Sequence, residues 1–160
     1  MTVPPDYKTT FFLNLPVSDL SAALQFYTSL GFIQNKTFSD ENAAMVSIPL
    51  DLHEEEPDTS AAHKSPLKIM LLNQSCYKKF LPGQREAADP KKVTQALFCL
   101  SIATRDKLDA FMDNAKRLGA EIDVREPQDY GWMYGRAFAD LDGHIWEVTW
   151  MDPSGYQDKE

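Results

Sequence analysis

The chain has 160 residues, 43% of them hydrophobic, which is enough for one domain, or two fused half-size modules, with a real core. A formal net charge of −8 leaves no basic face for nucleic-acid phosphates and disfavours an anionic membrane surface. No apolar run approaches the roughly 18 residues of a membrane span, and the start, Met1-Thr2-Val3-Pro4, lacks a basic region followed by an apolar one; a cytoplasmic protein is expected.

Phe11 to Val17 is rich in strand formers and stops at Ser18-Asp19, either of which can cap a helix. Leu20, Ala23, Leu24, Tyr27 and Leu30 then recur at spacings of three and four, predicting a helix with one buried stripe, and Gly31 suits the left-handed position that ends it. Phe32 to Phe38 and Ala43 to Ile48 read as strands joined by the turn Ser39-Asp40-Glu41-Asn42. After a polar, acidic gap from Asp51 to Pro66, which reads as a solvated loop and holds His53 and His63, another strand is predicted over Leu67 to Leu72.

The second half repeats this order. Ala96 to Ile102 is a predicted strand and Thr104 a possible cap; Leu108, Phe111, Met112, Ala115 and Leu118 form a helical stripe that stops at Gly119. Strands are predicted at Glu121 to Arg125, near Tyr134 to Ala139, and at His144 to Trp150, the last two joined by the turn Asp140-Leu141-Asp142-Gly143. Each half is therefore βαβββ: module 1 spans about residues 9–73, module 2 about 94–152, and a linker of about 74–93 containing Pro82-Gly83 and Asp89-Pro90 joins them.

Some residues invite chemistry. Glu147 lies in the last strand, where alternation puts it on one face with Ile145 and Thr149, and His144, Trp146 and Val148 on the other. Burial in an apolar setting would raise its pKa and make it a general base or acid near neutral pH; alternatively it is a structural carboxylate, hydrogen-bonded to Asn14 or to backbone. Tyr130, Trp132 and Tyr134 cluster before the penultimate strand, with Gly131 and Gly135 able to take unusual backbone angles, and could line a pocket for a flat organic ligand or close a packed loop. Arg136 could meet a ligand carboxylate or pair with Asp129 or Glu126. Cys76 and Cys99 are expected to be reduced core thiols, Cys99 sitting mid-strand among apolar neighbours. GxSxG, Walker, GxGxxG and HExxH patterns do not occur.

Leu15-Pro16-Val17-Ser18-Asp19-Leu20, with Phe26-Tyr27 and Leu30-Gly31-Phe32, resembles the opening signature of the vicinal-oxygen-chelate superfamily, the glyoxalase, bleomycin-resistance and extradiol dioxygenase fold. Asp140-Leu141-Asp142-Gly143-His144-Ile145-Trp146-Glu147-Val148 resembles its closing one, and Glu126 to Arg136 with Trp150-Met151-Asp152-Pro153 looks like the branch called predicted lactoylglutathione lyase. The resemblance implies an α+β fold in which two βαβββ modules form paired half-barrels around a cleft, a small-molecule ligand, and a homodimer. It also implies a divalent metal held by one residue from the first and last strand of each module. Those positions fall at Phe12, Met70 or a neighbour, Leu97 and Glu147, and only Glu147 is a suitable ligand for such a cation.

No cofactor is therefore expected and a divalent metal, though possible for the family, is disfavoured. Glu147 is the expected catalytic residue; Phe12, Asn14, Met70, Leu97, Tyr130, Trp132, Tyr134 and Arg136 are the expected substrate-binding residues. These imply a metal-independent lyase or isomerase acting on a small carbonyl compound. The alternative is a protein that sequesters an aromatic or hydrophobic molecule, as bleomycin-resistance members do; a metal-dependent glyoxalase or dioxygenase ranks third.

Overall fold

A computed structural model describes residues 9–50, 52 and 64–156. His53, His63 and nearly all of the acidic gap lie outside the described residues. The chain divides between Ala87 and Ala88 into two compact units.

In the first unit, β1 (Phe11–Val17) leads into α1 (Leu20–Ser29), followed by β2 (Ile33–Ser39), β3 (Ala43–Ser47) and β4 (Leu67–Asn73). Asp19 caps α1 by accepting from the Ala22 N–H at 2.9 Å, and Gly31, at φ +99°, ends it in a left-handed turn that a side chain would strain. The sheet order is β1-β4-β3-β2, with β1 and β4 parallel. One face carries Leu15, Val17, Ala44, Val46, Ile69 and Leu71, all buried on the side where Ala23, Phe26 and Tyr27 of α1 pack. The opposite face carries Phe12, Asn14, Met45, Lys68 and Met70.

The linker residues include a short helix, α2 (Gln74–Lys78). The Asn73 side chain caps it, accepting from the Cys76 N–H at 2.8 Å, so the residue that ends β4 also starts the helix.

The second unit repeats the plan with β5 (Leu97–Ser101), α3 (Arg105–Arg117), β6 (Glu121–Ile122), β7 (Gln128–Asp129), β8 (Met133–Ala139) and β9 (Ile145–Met151). The order is β5-β9-β8-β6, again with its first and last long strands parallel, and β7 pairs with β8. The architecture is thus α+β, two sheets with few helices; the first sheet is one βαβββ pass, and the second is the same pass with the two-residue β7 added beside β8.

Thr104 caps α3, and Gly119 at φ +100° stops it. Leu108, Phe111, Met112 and Ala115 then bury against Phe138, Trp146 and Val148. Phe138 and Trp146 stack with centroids 6.4 Å apart and planes at 9°, and Phe98 leans on Trp146 at 5.1 Å.

The strand predicted over Glu121 to Arg125 ends at Ile122. Asp123 adopts φ +55°, which breaks the strand and turns the chain before Val124 and Arg125. No apolar-alternation argument could see this, because the reason lies in where the Asp123 carboxylate is used.

Candidate functional site

Strand register sorts the candidate residues of the second unit into two faces. Leu97 pairs with Ile145, Cys99 with Glu147 and Ser101 with Thr149, while β8 presents Ala139, Ala137 and Gly135 on the same three rungs. This face turns away from α3. Leu97 is 55% exposed and Cys99 is exposed as well, which corrects the expectation of a buried core thiol: Cys99 alternates with buried Leu100 and so shares the open face with Glu147.

Glu147 stands at the centre of that face with its side chain 20% exposed. It is not the solitary carboxylate that the apolar neighbours suggested. The Nη2 of Arg125, delivered by the turn after β6, lies 2.8 Å from its Oε1. Sequence reasoning missed Arg125, because it falls inside a predicted strand and lies 22 positions from its partner; only the Asp123 turn frees it to reach β9. Beside Glu147, the Cys99 Sγ lies 3.6 Å from the Thr149 hydroxyl, so the open face carries a short polar strip above the apolar Leu97–Ile145 rung.

Tyr134 and Arg136 occupy the other face of β8. The Tyr134 hydroxyl donates to Asp109 of α3 at 3.0 Å. Arg136 donates to Asp109 from Nη1 at 2.9 Å and to both Asp123 oxygens, from Nε at 2.9 Å and Nη2 at 2.7 Å. Its partners are therefore Asp123 and Asp109, in place of the Asp129 or Glu126 expected; Asp129 is held by Arg105, which also lies over the rings of Tyr134 and Trp150 at 4.4 and 5.8 Å. These hydrogen bonds hold the Asp123 and Asp129 carboxyls below the usual carboxylate range, and desolvation first, then the bond to Asp109, pushes the Tyr134 phenol up. The network fastens β8 to α3 and shapes the sheet from behind.

Tyr130 and Trp132 sit at the exposed tip of the β7–β8 hairpin, closed by the Tyr130 N–H donating to the Met133 carbonyl at 2.9 Å. Gly131 there has φ +79°, and Gly135 shows no positive φ. His144 is buried beside Phe98 on the helix side.

In the first unit, Phe12, Asn14 and Met70 share the face opposite α1, Phe12 and Asn14 both exposed. Sequence reading also passed over Lys68 on this face, buried, with its Nζ donating to the Ser47 hydroxyl at 2.8 Å and its pKa lowered by desolvation.

Taken one by one, the residues at the positions where the resemblance implies metal ligands are poor donors for a divalent cation. Phe12 and Leu97 have no donor atom, Met70 offers a soft thioether, and the Glu147 carboxylate already faces a guanidinium. Among the described residues no group of three or more His, Cys, Asp or Glu side chains is placed to hold a metal ion, and no helix is long and apolar enough to cross a membrane.

No curated protein matches this chain. Among solved structures, a hypothetical protein from S. aureus is 22% identical with a TM-score of 0.66, covering 89% of this chain and 94% of its own. A glyoxalase/bleomycin resistance protein/dioxygenase family enzyme from Burkholderia phytofirmans PsJN is 14% identical with a TM-score of 0.67, covering 88% and 96%. The fosfomycin resistance protein FosX of Listeria monocytogenes, solved with Mn(II) and sulfate, is 16% identical with a TM-score of 0.59, covering 90% of each chain. At these identities the likeness establishes the fold. The family model described as glyoxalase/bleomycin resistance protein/dioxygenase superfamily matches residues 10–148, and this chain belongs to that superfamily.

Proposed function

We propose that the protein binds a small organic molecule on the open face of its second sheet, without a metal, the apolar body of the ligand resting on Leu97 and Ile145 and its polar end meeting the Arg125–Glu147 pair. The observation that carries this reading is the composition of the face: an exposed leucine and a central charged pair stand where the superfamily's metal ligands would otherwise be. Apolar surface of that kind gains about 25 cal/mol per Å² when a ligand covers it, and one buried polar contact fixes orientation.

A second reading is favoured by the placement of the Glu147 carboxylate on the open face. As an isomerase, the protein would use that carboxylate to take a proton from a carbon next to a carbonyl and return it to the neighbouring atom; as a lyase, it would take the same proton while the bond from the adjacent carbon to a leaving group breaks and hand the proton to that group, in both cases with no external oxidant or reductant.

Binding is tested with 2-naphthamide, a neutral aromatic probe, followed by amide chemical shifts. The expected result is saturable movement centred on Leu97, Cys99, Ile145, Glu147 and Thr149. Shifts confined to α3 and the helix-facing residues, or no saturable shifts, would remove the reading.

A further inference from the structure

Arg125 is used differently from the other arginines that the second sheet brings into play. Arg136 gives three hydrogen bonds to two carboxylates, and Arg105 meets both oxygens of Asp129. Arg125 faces Glu147 as an ion pair, with Nη2 2.8 Å from Oε1, and its side chain is 43% exposed. A guanidinium carries five N–H donors in a planar fork that matches a carboxylate edge to edge, so a single contact leaves most of its capacity directed elsewhere. Among the described residues, that capacity meets no further hydrogen-bond or ion-pair partner.

The local chain explains how the group gets there. Asp123, held at φ +55° and gripped by Arg136, ends β6 and throws the next two residues off the sheet edge. From there Arg125 must cross β8 to reach β9, and the β8 residue on the rung of Glu147 is Ala137, whose methyl leaves room above it. A cation is thus brought to the only one of the four superfamily ligand positions that retains a carboxylate.

Building on the binding role proposed above, we infer that Arg125 is the ligand-recognition cation of this protein, selecting small monocarboxylates whose apolar body covers Leu97 and Ile145. Glu147 is then a positioning residue: it anchors one corner of the guanidinium and leaves the outer edge to the ligand. A guanidinium presents fixed donors in a planar fork, which favours a carboxylate over a neutral carbonyl.

Calorimetric titration with 2-naphthoate and with its neutral isostere 2-naphthamide tests this. Wild-type protein should bind the acid at least tenfold more tightly than the amide. Arg125→Ala should abolish that preference by weakening binding of the acid to the level of the amide, and Arg125→Lys, which keeps the charge and loses the fork, should recover part of it. Equal affinities in wild-type protein, or an acid preference that survives Arg125→Ala, would overturn the inference and leave the binding role standing. Failure of both probes to bind would overturn the two together.

Discussion

Trp146→Ala should lower the free energy of unfolding by about 3–5 kcal/mol, the usual range for truncating a buried aromatic. Trp146 is 2% exposed, stacks on Phe138 and touches Phe98, on the side of the sheet that α3 covers. Removing the indole leaves a cavity between β9 and the helix that neither can close without shifting, and it separates the two aromatic contacts at once. Since a domain of this size holds a total of about 5–15 kcal/mol, the variant should unfold at a much lower denaturant concentration. Trp132→Ala is the matched control: that ring is 48% exposed at the hairpin tip, and its loss should change stability by no more than about 0.5 kcal/mol. Equal losses in the two variants would contradict the assignment of the core to the helix side of β9.

Arg136→Ala should lower the free energy of unfolding by about 1–3 kcal/mol. The side chain is 13% exposed and its departure strands Asp109 and Asp123 together at the joint between β8 and α3. Breaking a fully buried ion pair costs about 3–5 kcal/mol, and the figure here is reduced because both carboxylates reach solvent. The effect depends on pH in a definite direction. Hydrogen bonds from Arg136 hold the Asp123 carboxyl below its ordinary value, partly opposed by desolvation. A lowered folded pKa means that the contribution is fully present above the unfolded value of about 3.9 and is lost as pH falls through the lower folded value. The stability gap between wild-type protein and the variant should therefore hold steady from pH 7 to about 5 and narrow below about 4. A gap that widens on acidification would contradict the pairing.

The contrast between Arg136 and Arg125 shows what the sequence could and could not disclose. The βαβββ repeat was legible because it rests on local signals: apolar spacing of three and four, capping side chains at Asp19 and Thr104, and glycines 31 and 119 at left-handed stops. The faces of β9 were legible too, because alternation is a backbone property; Trp146 and Val148 are buried and Glu147 is on the other side. Applying the same alternation through the β8–β9 register assigns Tyr134 and Arg136 to the helix side, away from Glu147, but that register depends on the length of the Asp140–Gly143 turn and on pairing across it. Arg125 was hidden for a different reason. Its position follows from a left-handed aspartate, and that conformation is sustained by a long-range contact with Arg136. A site assembled by such a contact leaves no local pattern.

The absence of donor atoms at Phe12 and Leu97 was visible directly, and ligand binding that does not depend on a metal is the expected consequence. The most direct measurement is the affinity of 2-naphthamide before and after exhaustive dialysis against a chelator. The structure predicts the same dissociation constant within twofold and no change on adding Mn(II) or Zn(II). Loss of binding on chelation, restored by one equivalent of a divalent ion, would contradict it.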